Sequence, residues 1–212
     1  MATKEKTRGL VQMSLFCAII LILAFTPFLG YIPLGFTRAT IIHVPVIIGA
    51  IVLGPKKGAF LGFLFGLTSL FNNTFNPTAT SFVFSPFYSA GDVNGNFFSL
   101  LICFLPRILV GVVPYYVYNW VKALFHKRPN AQAVPLILAG ILGSLTNTLL
   151  VMNMIFLFFQ RDYAAANNQA PEVLYTFILT LIGVNGVPEA IVAAILTLAV
   201  CKALFRSRFQ AQ

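Results

Sequence analysis

The sequence predicts an all-α membrane protein: a compact bundle of six transmembrane helices with both N- and C-termini cytoplasmic. Three observations lead there. Hydrophobic residues make up 58% of the 212 positions and charged residues 9%, with a mean hydropathy of +0.88, which leaves too little polar surface to cover a water-soluble globule. Apolar runs recur between polar or Pro/Gly breaks, and at roughly 20 residues per span the chain has room for about six, as a single domain over 1–212. The formal charge of +9 is carried by small basic groups at the ends of those runs, which fits anchoring at a membrane face and excludes nucleic acid as the expected partner.

Residues 1–9 are expected as a cytoplasmic N-terminal segment. The first apolar segment, 10–30, has no small-residue cleavage site after it, so a retained span is expected and not a signal peptide. It carries Ser14 and Ala18 four residues apart, a small face suited to a partner helix. The second and third segments, 39–54 and 58–72, are short and separated only by GPKK, so they form a helical hairpin. In the third, Gly58, Gly62 and Gly66 recur every fourth residue. Each interior glycine costs a helix about 1 kcal/mol in water, but in lipid such a face lets two helix backbones approach closely.

Segments 97–121, 134–159 and 173–205 complete the six. With both termini inside, Lys4, Lys6, Arg8, Lys56, Lys57, Lys122, Lys127, Arg128, Lys202, Arg206 and Arg208 face the cytoplasm, while Arg38 and Arg161 lie outside and Arg107 lies within a span. That asymmetry satisfies the positive-inside rule. The irregular stretches 27–38, 72–96 and 160–172 then emerge on the outer side. The 72–96 connection is too aromatic for a solvated linker, with Phe75, Phe82, Phe84, Phe87 and Tyr88 among Thr, Ser, Asn and Pro, so an extracellular lid or plug is expected.

Ionisable groups inside spans cost at least about 2.5–3.5 kcal/mol and face a partner or a cavity. Arg107, roughly 15 Å along its helix from the outer end, and Glu189 are the sharpest cases. Two accounts stand: an Arg107–Glu189 pair that holds helices together, or a guanidinium available to grip a ligand carboxylate at two points. Thr146, Asn147 and Thr148, Asn185, and Asn72, Asn73 and Thr74 place amides and hydroxyls in the outer half and suggest a hydrated pocket. His43 and Arg38 bracket the start of the second segment. A lone histidine on an apolar helix is more often structural than a ligand group, and Arg38 can simply mark the membrane surface.

Cys17, Cys103 and Cys201 are far apart in apolar segments, which suggests neither a metal site nor a disulfide framework. Gly54 to Gly58 has no Gly-Lys-Ser/Thr sequel, and no zinc-protease pattern or nucleophile elbow is present. ATP hydrolysis, if used, belongs to a partner.

Four motifs in order, TIIHVPVIIGAIVLGPKKGAFLG at 40–62, LPRILVG at 105–111, LTNTL at 145–149 and NGVPEA at 185–190, resemble the substrate-binding S components of energy-coupling factor (ECF) vitamin transporters. The resemblance spans nearly the whole chain and is most similar to the pantothenate-specific members. It implies a bacterial plasma-membrane, multi-pass subunit that is not itself an enzyme and binds no cofactor. Such a subunit captures a vitamin from outside and docks on a transmembrane coupling subunit with two cytoplasmic ATPase subunits, which use ATP and Mg. In the family the first helix docks through a small-residue face. The corresponding SLFCA at 14–18 departs from the alanine pattern at its first position. Pantothenate, a small carboxylate with hydroxyls and an amide, suits a buried Arg with Asn and Thr side chains. Another vitamin or precursor of the pyridoxine or hydroxymethylpyrimidine type, or a non-transport membrane scaffold, are the alternatives.

Overall fold

A computed structural model of the chain describes residues 2–26, 29–34, 37–91, 93–125 and 133–210, with the side chains of 2–6, 31–39, 90 and 207–210 outside the description. The elements are α1 (Ala2–Phe25), a hairpin of β1 (Tyr31–Leu34) and β2 (Thr37–Thr40), α2 (His43–Leu53), α3 (Pro55–Phe75), a small ladder of β3 (Ser89–Ala90) and β4 (Val93–Asn94), α4 (Phe97–Val110), α5 (Val113–Leu124), α6 (Val134–Ala166), α7 (Leu174–Leu181) and α8 (Val187–Gln210). The chain is predominantly helical. Among the described residues, Thr7–Phe25, Phe97–Leu124, Val134–Ala166 and Pro171–Arg206 are long and apolar enough to cross a bilayer, and His43–Leu53 is a shorter apolar helix.

Several expected segments divide. The run expected at 97–121 breaks at Gly111 and Val112, and Pro114 then starts α5 in the first helical turn, where its missing N–H costs nothing. The sixth segment is α7 and α8 joined by a π-helical turn, Ile182–Gly186. The helix expected to end at 159 continues to Ala166, although Phe159 itself leaves helical geometry at φ −133°, ψ 27°. Residues expected as irregular around 27–38 contain the β1–β2 hairpin, in which Tyr31 pairs with Thr40 and Leu34 with Thr37.

α2 is the axis of the bundle. His43 through Ile51 are all buried, and the helix packs against α1, α3, α5, α6 and α8. A helix apolar on every side can be surrounded by lipid or by protein, and the burial of His43 through Ile51 shows that here it is protein. Gly54, at φ +92°, closes α2 and Pro55 opens α3, so the GPKK stretch is a tight helix-to-helix turn.

Gly58, Gly62 and Gly66 turn toward α4. A side chain at Gly58 would strike the Gly111 carbonyl, one at Gly62 the Arg107 carbonyl, and one at Gly66 would lie 2.7 Å from the Phe104 ring. Close backbone contact follows from the absent side chains. α1 is the most peripheral span, with Leu10, Val11, Leu15 and Ile22 all exposed.

Two apolar clusters fill the interior. One surrounds α2 with Phe16, Ile20, Leu61, Phe65, Val110 and Ala193. The other lies beneath the 72–96 connection and includes Phe82, Ile102, Ile155, Phe159 and Ile178. α4 and the α7–α8 pair run from the second cluster through polar residues to the first, and α6 runs the same three layers in reverse. That shared order defines a polar band across the bundle.

Candidate functional site

The band is built by α2, α4, α6, the π turn and α8. In α4, Pro106 has no N–H to give the carbonyl of Ile102, four residues earlier. Arg107 takes up that carbonyl with its own side chain: Nη1 donates to the Ile102 oxygen at 2.7 Å. The guanidinium carbon also lies 5.6 Å from the Phe65 ring centroid and 5.0 Å from that of Phe84, a residue of the 72–96 connection. Cation–π contacts at these distances favour the charged group in a desolvated place. Arg107 is 6% exposed, so its guanidinium is fixed from below by α3, from the side by α4 and from above by the connection.

Glu189, in the first turn of α8, accepts from the main-chain N–H of Thr40 at 2.6 Å and from the Thr148 hydroxyl at 3.4 Å. Its carboxylate joins the β1–β2 hairpin, α6 and α8, and it lies within electrostatic range of Arg107. Of the threonines in LTNTL, Thr148 faces the band, whereas Thr146 returns its hydroxyl to the Leu142 carbonyl of its own helix at 2.6 Å, on the side that carries exposed Leu142 and Leu149. The helical step separates them: two residues apart is more than half a turn.

His43, Ser144 and Asn147 are buried in the same band. Among the described residues, neither ring nitrogen of His43, nor the Ser144 hydroxyl, nor Asn147 Oδ1 has a hydrogen-bond partner. Buried polar groups are nearly always paired, so several unpaired ones in one region mark a place for water or a ligand. Asn185 is buried in the π turn, a local distortion frequent at functional sites.

The other candidates lie elsewhere. Asn73 is committed to the connection: its Nδ2 donates to the Ser69 carbonyl at 2.9 Å and its Oδ1 accepts from Ser81 at 2.8 Å. Ser81 in turn accepts from Thr78 N–H, Ser99 donates to the Phe82 carbonyl, and the Thr74 and Ser85 hydroxyls meet at 2.7 Å. The connection is thus folded onto α3 and α4, with Phe82 and Val83 fully buried. Arg38 stands in β2, and its side chain lies outside the described residues. Ser14 and Ala18 lie on the exposed stripe of α1 with Val11 and Ile22. An apolar groove of about 520 Å³ between α1 and α3, lined largely by Leu and Phe, is separate from the band.

Sequence reasoning did not find the Thr40–Glu189 link, which depends on a hairpin whose edge is recognisable only once paired. It also did not assign Pro106 a part in holding Arg107, although adjacency of the two in LPR was the available signal.

A family model described as ECF transporter, substrate-specific component, matches residues 8–201. The chain belongs to that family. It is similar to the pantothenic acid transporter PanT of Lactococcus lactis subsp. cremoris, 38% identical over 207 residues and 97% of each chain. It is also similar to the pantothenate transporter PanT of Leuconostoc mesenteroides subsp. mesenteroides, 31% identical over 203 residues, covering 93% of this chain and 92% of that one. Family membership and the long apolar helices make this S component a multi-pass protein of the bacterial plasma membrane and the substrate-binding subunit of a transporter.

Proposed function

We propose that this S component binds pantothenate from the outer side of the membrane and delivers it through an ECF complex. The observation that carries the reading is the buried Arg107 guanidinium in a band whose other polar groups are amides, hydroxyls, an imidazole and the Glu189 carboxyl, which is itself engaged by Thr40 and Thr148. A carboxylate needs a fixed cation, and a bound hydroxyl and amide need neutral donors and acceptors; pantothenate has all three. The names of the two relatives support the same substrate.

In this reading the polypeptide crosses the membrane six times: by α1, α2, α3, α4 with α5, α6, and α7 with α8. Both termini and Lys56 and Lys57 are cytoplasmic, in keeping with the distribution of basic residues. The 72–96 connection is then the outer lid, and Phe84 covers Arg107. Glu189 ties the first hairpin in place and does not itself contact the carboxylate, because like charges repel and both its oxygens already accept from protein groups. The exposed stripe with Ser14 and Ala18 docks on the transmembrane coupling subunit, and two ATPase subunits with Mg and ATP supply the energy.

Equilibrium binding of radiolabelled pantothenate to the purified chain in nanodiscs, with riboflavin, thiamin, folate and pyridoxine as competitors, tests this. Saturable one-site binding displaced only by unlabelled pantothenate is expected. Displacement by a different vitamin from the same protein would reassign the substrate within the family.

A further inference from the structure

Resting on the pantothenate reading, we infer that His43 and Asn147 form the hydrogen-bonding pair that recognises the hydroxyl-bearing end of the ligand, while Arg107 holds the carboxylate end.

The two residues come from different helices and meet by register. A side chain at Gly143 of α6 would lie 2.9 Å from Ile47 of α2. The helices run antiparallel, because Thr40, just before α2, and Thr148, later in α6, both reach Glu189. One turn back along α2 from Ile47 is His43, and one turn on along α6 from Gly143 is Asn147. Residues four apart share a face, so the two side chains stand on facing stripes at one level. His43 is 1% and Asn147 7% exposed, and Ser144, 1% exposed, adds a hydroxyl to the same region.

Their chemistry specifies what fits between them. Neutral imidazole has one donor and one acceptor, and Asn147 Oδ1 is an acceptor. The Thr40 and Glu189 main chains lie close to the His43 ring, but no hydrogen bond of good geometry reaches either ring nitrogen, and no donor reaches Asn147 Oδ1 among the described residues. A ligand hydroxyl can donate to Asn147 Oδ1 and accept from the imidazole N–H at once. A carboxylate could accept from the imidazole N–H and from Asn147 Nδ2 but would leave Asn147 Oδ1 without a donor. The α2–α6 side of the band therefore selects an alcohol, and the α4 side, where Arg107 is fixed by Ile102 and the aromatic rings, takes the anion.

The test compares pantothenate with pantothenol, in which a primary alcohol replaces the carboxylate, by titration of the full chain in nanodiscs. His43→Phe and Asn147→Leu are expected to weaken both ligands by the same factor, at least about tenfold, as loss of a buried hydrogen bond does. The preference for pantothenate over pantothenol should stay as in the unmodified protein. His43→Gln, which keeps a donor and an acceptor, is expected to lose less than His43→Phe, a rescue that a packing role for the ring would not give. Unchanged pantothenate affinity in both His43→Phe and Asn147→Leu overturns the inference, and so does a selective loss of pantothenate with pantothenol spared. Failure of the unmodified protein to bind either compound instead overturns the substrate reading beneath it.

Discussion

Arg107 donates from Nη1 to the carbonyl of Ile102, five residues earlier in the same helix, at 2.7 Å. That carbonyl is the one Pro106 cannot engage, so a proline and an arginine adjacent in sequence make one device. The proline removes a helical hydrogen bond, and the arginine side chain supplies a replacement that also holds its guanidinium beneath Phe84.

Replacing Pro106 by Ala restores an N–H that competes for the Ile102 oxygen. The helix gains regularity and Arg107 loses an anchor. We expect Pro106→Ala to retain or raise thermal stability while weakening pantothenate several-fold and pantothenol much less. Calorimetric titration with the two compounds measures the difference.

Glu189→Ala leaves the Thr40 N–H without its acceptor, a cost of about 1–3 kcal/mol for a buried donor, and leaves the Thr148 hydroxyl only the Ser144 carbonyl at 3.5 Å. It also frees the β1–β2 hairpin from α8. The expected result is faster amide hydrogen exchange at Thr40 and faster ligand dissociation, with Glu189→Gln closer to the unmodified protein because its carbonyl oxygen still accepts. Exchange mass spectrometry and stopped-flow release resolve the two effects.

Gly62→Ala forces a methyl group against the Arg107 carbonyl, where only backbone could yield. Overpacking of this kind costs about 1–3 kcal/mol. The melting temperature in detergent should fall, and pantothenate affinity with it, because the displaced backbone is that of Arg107. Gly183→Ala, where an added methyl group meets nothing within 4 Å, should leave the melting temperature unchanged.

Ser81→Ala removes the hydroxyl that bonds Asn73 and Thr78 at the start of the 72–96 connection. If that connection is the lid, ligand release should speed up and protease cleavage within 72–96 should increase, while Arg107 still confers preference for the carboxylate. Limited proteolysis with and without ligand reports both.

The parts legible in the sequence were those set by solvent and by spacing. Glycine at every fourth position of α3 implied close backbone packing because side-chain absence is itself the information. Arg107 and the Asn and Thr groups stood out because apolar spans have no need of them. What was not legible depends on partners distant in sequence. Thr40 lies 149 residues from Glu189, and nothing near either one announces the other. Thr146 and Thr148 are alike in composition, and only the rotation of α6 sends one outward and the other to Glu189. The division of the fourth segment at Gly111 and Val112 did have a local signal, Pro114, whose missing N–H cannot bond the Val110 carbonyl; the packing of Gly111 on Gly58 is the tertiary part.

The most direct measurement of the central claim is the dissociation constant of pantothenate and of pantothenol for the unmodified protein and for Arg107→Gln. The account predicts a strong preference for pantothenate in the unmodified protein and near-equal, weak binding of the two compounds in a folded Arg107→Gln variant. A folded variant that keeps the full preference for pantothenate would contradict it.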